Sequence, residues 1–334
     1  MRALHKGWNV LKLAGVVALA LLIEGCSTVP MSALENGPAP RGHMIEVEPG
    51  RQMRLVCLGP PAGARPTVVL EAGAFGFSAD WAAVQEELAQ AGLRSCAYDR
   101  AGLGHSDPGP IPRDSLAIAA DLERLLAAAR ERGPIILCGH SMAGLHLRVF
   151  AARNAARVVG VVLVDATTPE TMDQPAARHF VAGFAHISRL AAWGAETGLQ
   201  RPLSGAFGDM IGLPMPARLE KRWAFADARH NRWAAAEVNE WAKDAEEGRK
   251  AGPYDRRWPV GVVLTGAPDA RLDAAPGGES GESRASQEVP AQQSRAGFVV
   301  RAPGANHATL LGERFAPRIV EAILKVENAA AANP

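Results

Sequence analysis

The chain has 334 residues, a formal net charge of +1 at pH 7 and 48% apolar residues. This length suits one large α/β domain or two ordinary domains and can bury a sizeable core. The near-neutral charge argues against a nucleic-acid-binding protein, which needs a basic excess or a basic patch. Four cysteines in so long a chain exclude a small scaffold held by disulfides.

The first 25 residues are predicted to be a targeting segment. Basic residues precede the uncharged run from Leu13 to Ile23. A membrane span needs about 20 apolar residues, so this run fits the apolar region of a secretory signal better. The domain that follows is therefore expected outside the cytoplasm.

The end of this segment, Ile23-Glu24-Gly25-Cys26-Ser27, resembles the lipobox of bacterial lipoproteins, although Glu24 departs from the usual small or apolar residue. The resemblance implies a lipid on Cys26 that tethers the mature protein to a bilayer without spanning it. Ser27 resembles the residue that permits sorting to the outer membrane. An outer-membrane lipid-anchored or periplasmic protein is therefore predicted, and an inner-membrane N-terminal anchor or an ordinary signal remains an alternative.

Residues 26–43 contain Pro, Gly and Ser and are predicted to be a tether. Beyond the tether, short apolar runs alternate with amphipathic stretches. The predicted strands are Met44–Val47, Met53–Leu58, Thr67–Leu70, Ser95–Tyr98, Ile135–Cys138, Val158–Val164, Val260–Leu264 and Phe298–Val300. The predicted helices are Trp81–Ala91, Leu116–Arg130 with caps at Asp114 or Ser115 and an end at Gly133, Ser141–Asn154, and a final helix from Phe315 to Val326. This order predicts an α/β fold in which a mostly parallel sheet carries helices on both faces.

The alternation stops between Thr168 and Arg257, which predicts an inserted helical cap. The body is thus divided into a core of residues 44–167 and 258–328 and a cap of residues 168–257. We expect the tryptophans of the cap to pack it onto the core; they are Trp193, Trp223, Trp233 and Trp241. The first half of Asp273–Arg295 is predicted to be a flexible loop.

Three cysteines besides Cys26 lie in apolar, strand-like runs: Cys57, Cys96 and Cys138. Small buried thiols are expected at all three positions. A Cys57–Cys96 bridge remains an alternative in an oxidising compartment.

The strongest motif is Gly139-His140-Ser141-Met142-Ala143, in which an apolar strand runs into a serine and then into a helix. A nucleophile on so sharp a turn needs small neighbours, and the helix N-terminus supplies N–H groups for an oxyanion. The stretch resembles the nucleophile elbow Gly-x-Ser-x-Gly of the α/β-hydrolase superfamily, with Ala143 as the departure. The resemblance covers about residues 44–326 and implies the α/β-hydrolase fold with Ser141 as the nucleophile.

Three further stretches carry the resemblance. Leu70–Gly76 ends the third predicted strand, where the family places its other oxyanion donor, so the implied donors are the backbone N–H groups of Ala74 and Met142. Pro303–His307 follows the last strand, where the family keeps its catalytic histidine, so His307 is implied as the general base. Tyr98–Asp107 resembles a structural loop of the family, in which we expect Asp99 and Arg100 to form a stabilising pair.

Two residues are candidates for the acid that orients this histidine. Asp165 ends a buried apolar strand, in a position that resembles the acid of haloalkane dehalogenases. Asp269 follows the seventh strand with the common Gly-x-x-Asp spacing, in the chain order Ser, Asp, His. An orienting acid should lie on a rigid element, which favours Asp165 and leaves Asp269 as the alternative.

These residues predict a serine hydrolase that cleaves an ester or related acyl bond of a small apolar substrate through an acyl-enzyme. A serine nucleophile separates the chain from the dehalogenase and epoxide-hydrolase branches, which attack with aspartate. The chemistry needs no metal or organic cofactor, and the expected partners are the acyl substrate and a lipid bilayer. An acyltransferase with the same triad and a non-catalytic lipoprotein with a hydrolase fold remain alternatives.

Overall fold

The computed structural model describes residues 38, 40–61, 63, 65–266 and 281–332. The predicted targeting segment, the lipidation site Cys26, most of the predicted tether and the alternative acid Asp269 lie outside the described residues. Within the described ranges, no helix has both the length and the hydrophobicity that a membrane span requires.

Eight strands form in the described chain: β1 (His43–Glu48), β2 (Arg51–Leu58), β3 (Thr67–Glu71), β4 (Ser95–Tyr98), β5 (Ile135–His140), β6 (Val158–Val164), β7 (Val260–Thr265) and β8 (Phe298–Ala302). They make one sheet in the order β1-β2-β4-β3-β5-β6-β7-β8. β2 pairs antiparallel with β1 and β4, and all other neighbours are parallel. The predicted mostly parallel sheet is confirmed.

The described α-helices are α1 (Ala82–Gln90), α2 (Ser115–Ala128), α3 (Ala143–Arg153), α4 (Pro175–Glu196), α5 (Ser204–Asp209), α6 (Met215–Ala226), α7 (Ala228–Ala251), α8 (Gly281–Gln293) and α9 (Ala316–Ala332). Four short 3-10 helices accompany them at Ser78–Trp81, Thr171–Asp173, Arg201–Leu203 and Thr309–Leu311. The segment between β6 and β7 contains α4 to α7.

Helices cover the sheet on both faces because its central strands are apolar on both sides. In β3, Val68 and Leu70 belong to the cluster that includes α1 and α9, whereas Val69 belongs to the cluster that includes α2 and α3. Alternate residues of a strand point to opposite faces, so one buried strand contributes to both clusters. The predicted helices on both faces are confirmed.

The helix α2 begins at the predicted cap but does not end at the predicted glycine. Asp114 caps the helix by accepting a hydrogen bond from the Ala117 N–H, as predicted. The predicted end at Gly133 is wrong, because the chain turns at Arg130 with φ of 61°. The Glu131 N–H donates to the Leu126 carbonyl, which closes a Schellman turn without a glycine.

Two further differences from the sequence predictions concern the helical segment between β6 and β7, which we call the cap, and the region before β8. Trp223 and Trp241 are buried and Trp233 is partly buried, but Trp193 is 58% exposed, so the packing expected for Trp193 is wrong. Of the predicted loop, residues 273–280 lie outside the described chain, and the helix α8 that follows them was not predicted.

The cysteines of β2 and β4 are joined. Cys57 and Cys96 are directly opposite in the antiparallel register and form a disulfide. The expectation of free thiols is therefore wrong at these two positions, because strand pairing brings their Cα atoms to 4.1 Å. Cys138 is a free, buried thiol, as expected, and burial raises its pKa above the usual range.

Reduction of this disulfide should destabilise the fold. The bond closes a loop with a sequence separation of 39, and loss of that constraint costs about 4 kcal/mol in the chain-entropy model. Denaturant unfolding with and without dithiothreitol measures the difference. A Cys57→Ser/Cys96→Ser double variant is the control and should not respond to the reductant. An equal free energy of unfolding for the oxidised and reduced wild type would contradict the prediction.

Candidate active site

Ser141 lies on a strained turn between β5 and α3. Its φ is 56°, in the left-handed region that a side chain other than glycine occupies at a cost. The turn is held on both sides, because the Ser141 N–H donates to the Val164 carbonyl and the Ser141 carbonyl accepts from the Thr167 N–H at 2.8 Å. The surrounding backbone therefore maintains the strain and presents Ser141 at the carboxyl edge of the sheet.

Two glycines leave the space that this turn requires. A Cβ on Gly73 would lie 2.7 Å from the Ser141 Cβ, and a Cβ on Gly144 would lie 2.4 Å from the Thr167 carbonyl oxygen. Ala143, which departs from the family motif, is fully buried inside the turn. The turn thus accommodates a methyl group at position 143, whereas Gly144 is required by the close approach of the Thr167 backbone.

His307 and Asp165 come together at the same edge, although 142 residues separate them. Asp165 follows β6 with φ of 44° and is 2% exposed. The Nδ1 atom of His307 lies 2.7 Å from Asp165 Oδ2, so Nδ1–H donates to the carboxylate. This bond leaves Nε2 as the nitrogen that can accept a proton. Asp269, the alternative acid, has no described position.

A second histidine supports the backbone of His307. His140 is buried, and burial together with the charge of His307 lowers the pKa of His140 to about 3. It is therefore neutral at ordinary pH, and its Nε2–H donates to the His307 carbonyl oxygen at 3.0 Å. The centroids of the His140 and His307 imidazole rings are 4.5 Å apart. Sequence reasoning assigned no role to His140.

The loop after β3 is held by cations that bind its carbonyl groups. Arg100 donates to the Ala72 carbonyl and, at 2.9 Å, to the Gly73 carbonyl, while Lys221 of α6 donates to the Phe75 carbonyl at 2.9 Å. A trans peptide directs its N–H opposite to its C=O, so the Ala74 N–H points away from Arg100. Since a Cβ on Gly73 would meet the Ser141 Cβ, the loop lies directly beside Ser141 with its orientation set.

Arg100 is bound from the other side by the cap. Its guanidinium pairs with both carboxylate oxygens of Glu237 on α7, and both side chains are buried. Burial alone would lower the pKa of Arg100, but the Glu237 carboxylate holds it above its usual value. The expected Asp99–Arg100 pair is wrong, because Asp99 pairs with Arg54 at 3.0 Å and Arg100 points towards the cap.

A buried histidine makes a second connection between core and cap. The Nδ1 atom of His146 on α3 lies 2.7 Å from Oε1 of Glu71 at the end of β3. Its Nε2 atom lies 3.6 Å from Oδ2 of Asp244 on α7. Burial opposes the charged form, but the Asp244 and Glu71 carboxylates raise the pKa of His146 to about 9. His146 is therefore a cation at neutral pH. It joins the strand before the Ala74 loop, the helix after Ser141 and the cap helix.

Apolar side chains cover the region next to Ser141 and the Ala74 loop. Met142 and Trp241 belong to one buried cluster, with Phe75 and Phe184 packed against it. The centroid of the Phe184 ring lies 6.1 Å from that of Phe75 and 5.9 Å from that of Trp241, and the rings meet edge to face in both pairs. These residues bring the cap helices α4 and α7 over the neighbourhood of the serine.

Sequence reasoning missed the charged residues that fix these elements. Glu71 and His146 stand inside otherwise apolar segments, and such isolated charges are rarely buried without a partner. That signal could have identified both residues as members of a buried charge network. It did not identify Glu237 or Asp244, because polar residues surround both on a long helix.

Comparison with known proteins agrees with this architecture. A family model described as the alpha/beta hydrolase fold matches residues 66–253, which is more than half of the chain. An AB hydrolase superfamily protein of Gibberella zeae is 33% identical over 133 residues, which are 38% of this chain and 41% of that protein. The chain spans only 16% to 41% of the length of the first curated relatives that it matches.

Solved structures match over more of the chain. A thermophilic esterase from Thermogutta terrifontis has a TM-score of 0.60 and 22% sequence identity, covering 86% of this chain and 100% of that one. Epoxide Hydrolase A from Mycobacterium thermoresistibile has a TM-score of 0.62 and 18% identity, covering 86% of this chain and 98% of that one. At these identities the likeness establishes the fold alone.

The two positions after Met142 should respond differently to substitution. In Gly144→Ala the new methyl group meets the Thr167 backbone, which should cost about 1–3 kcal/mol and displace the turn that holds Ser141. The matched variant Ala143→Gly loses only a buried methyl group and some backbone restriction, at most about 1 kcal/mol. Denaturant unfolding of both variants measures the order, and a Gly144→Ala chain as stable as Ala143→Gly would refute it.

Proposed function

This chain belongs to the α/β-hydrolase fold family, and on that basis we propose that it is a serine hydrolase. The proposed reaction is cleavage of an ester or related acyl bond through an acyl-enzyme. The observation that carries the proposal is the contact of 2.7 Å between His307 Nδ1 and Asp165 Oδ2, at the sheet edge that also presents Ser141. A carboxylate, an imidazole and a hydroxyl at one edge are the components of an acyl-transfer site.

In the proposed acylation, Ser141 Oγ attacks the carbonyl carbon of the substrate while His307 Nε2 takes the hydroxyl proton. The carbonyl oxygen becomes an oxyanion and accepts hydrogen bonds from the N–H groups of Ala74 and Met142. Neither N–H donates to another group in the described part of the chain. Collapse of the intermediate breaks the bond to the leaving group, which receives the proton from His307.

Deacylation repeats the sequence with water. His307 takes a proton from water, the hydroxide attacks the acyl carbon, and Ser141 leaves with the proton that His307 returns. Asp165 accepts from Nδ1–H throughout, which fixes the tautomer and stabilises the imidazolium that forms twice per cycle. His140, by binding the His307 carbonyl, holds the backbone that carries the base.

The proposed substrate is small and apolar around its acyl group. This proposal rests on the side chains that cover the Ala74 loop, which are Phe75, Phe184, Trp241 and Met142. Aromatic and thioether groups bind hydrocarbon by contact and offer few hydrogen-bond partners to a polar substrate.

We also propose that the enzyme acts outside the cytoplasm, anchored to a membrane by lipid on Cys26. The lipobox-like sequence supports this proposal, and the Cys57–Cys96 disulfide agrees with an oxidising compartment. Mass spectrometry of the N-terminal peptide of the mature protein tests it. A chain with an unmodified Cys26, or one that retains residues 1–25, would refute the anchor.

Ser141→Ala should abolish ester hydrolysis. Loss of the nucleophile should lower kcat on the order of 10⁴-fold or more, because no acyl-enzyme can form and only the oxyanion donors and substrate binding remain. Hydrolysis of p-nitrophenyl esters of graded acyl length measures this effect and sizes the substrate site. A fluorophosphonate probe should label Ser141 alone in the wild type. Full activity of the variant, or labelling of another serine, would overturn the assignment.

The two candidate acids should separate in a paired experiment. Asp165→Asn should lower kcat on the order of 10⁴-fold, because asparagine cannot hold the required tautomer of His307. Asp269→Asn should stay within a few-fold of the wild type. Circular dichroism of both variants controls for folding. A larger loss in Asp269→Asn would identify Asp269 as the acid instead.

A further inference from the structure

The outer side of the cap carries an unusual amount of exposed apolar surface. Nine of the twelve exposed large apolar side chains in the described residues lie in the cap. We call them the exposed cap face: Phe180, Ile187, Leu190, Trp193, Leu199, Leu203, Phe207, Met210 and Met215. Single exposed apolar residues are ordinary, but a concentration of this kind marks an interaction surface.

The α4 helix separates charged from apolar residues around its axis. At about 100° per residue, Phe180, Ile187, Leu190 and Trp193 fall within an arc of about 140°. The charged residues Arg178, Arg189 and Glu196 lie outside the arc, about 40–60° beyond Trp193, and the side opposite the arc is the buried face with Val181 and Ser188. His179 and His186 are the polar exceptions inside the arc. An exposed apolar stripe of this kind suits a helix whose outer side meets a membrane interface.

The exposed cap face lies next to α6, the helix that also contacts the start of the described chain. Gln200, which packs against Gly194 of α4, donates to the Phe225 carbonyl of α6. Asp209 at the end of α5, beside Phe207 and Met210, pairs with Arg222 of α6. These contacts hold α4 and α5, which carry apolar residues of the exposed cap face, against the same helix α6.

The N-terminal chain reaches the core beside this same helix. Arg41, near the beginning of the described chain, pairs with Glu220 of α6 at 2.5 Å. Arg41 follows Cys26 by fifteen residues, so even a fully extended tether spans no more than about 50 Å. A membrane that holds the apolar run Leu13–Ile23, or a lipid on Cys26, is therefore within reach of the cap.

We propose that the exposed cap face docks on the surface of the lipid bilayer to which the N-terminus is tethered. The proposal goes beyond the hydrolytic function; it rests on the proposed N-terminal anchor and not on the hydrolysis. Four arginines against two acidic residues in the segment 175–218 give this part of the cap a positive charge, which suits anionic headgroups. Docking would place the cap between the bilayer and the core, so apolar acyl substrates would reach Ser141 from the lipid phase.

Quenching by brominated lipid tests the docking. The full chain is reconstituted in vesicles of phosphatidylethanolamine and phosphatidylglycerol, with or without bromine on the acyl chains. The difference in emission between the wild type and Trp193→Phe isolates Trp193 among the seven tryptophans. We expect at least a twofold loss of the Trp193 emission in brominated vesicles. The same subtraction for Trp258, a partly buried tryptophan before β7, should show no loss.

A polar double substitution makes the test specific to the face. Ile187→Asn/Leu190→Asn should restore the Trp193 emission in brominated vesicles, whereas Leu116→Asn, at an exposed apolar residue of α2 outside the cap, should not. Chains carrying Ser141→Ala serve equally well, so a failure of the proposed hydrolysis leaves this result unaffected.

Three outcomes would overturn the proposal. The first is a chain that does not float with the vesicles, which would overturn the N-terminal anchor together with the docking. The second is a bound chain whose Trp193 emission is unchanged by bromine. The third is light scattering in detergent that shows a dimer for the wild type and a monomer for Ile187→Asn/Leu190→Asn, which would assign the face to a second copy of the chain.

Discussion

The guanidinium of Arg100 is buried between the loop that follows β3 and a helix of the cap, and it binds both. On one side it donates to the carbonyls of Ala72 and Gly73, and on the other it pairs with Glu237. A buried charge is expensive unless it is fully paired, so neither contact can be given up alone. The orientation of the Ala74 N–H and the position of α7 are thereby linked through one side chain. His146 repeats the link between Glu71 and Asp244.

The cap consequently has two faces of different character. Its inner face carries buried carboxylates, such as Glu220, Glu237 and Asp244, that pair with cations of the core. Its outer side carries the nine large apolar residues of the exposed cap face. A cap that is attached by several buried ion pairs resists large displacement, since opening would expose charges without partners.

The candidate site itself depends on the geometry of the parallel sheet. The carboxyl ends of β5, β6 and β8 lie at one edge, so residues that follow these strands meet there. Ser141 and Asp165 both adopt positive φ at this edge, and backbone hydrogen bonds to neighbouring strands hold both. Strain at these two positions is compensated by the sheet and by the helices that pack on it. His140 adds a further support through the backbone of His307.

The sequence by itself determined the strands, most of the helices and the motif around Ser141. These features depend on neighbours within a few residues, where apolar periodicity and turn chemistry are visible. Only the tertiary structure decided which distant residues meet: Cys57 with Cys96, Arg100 with Glu237, and His307 with Asp165. It also decided that Trp193 faces outward while Trp241 is buried. Strand register and helix docking set such contacts, and both depend on the simultaneous packing of segments that are 39 to 142 residues apart in these three pairs, which no local pattern encodes.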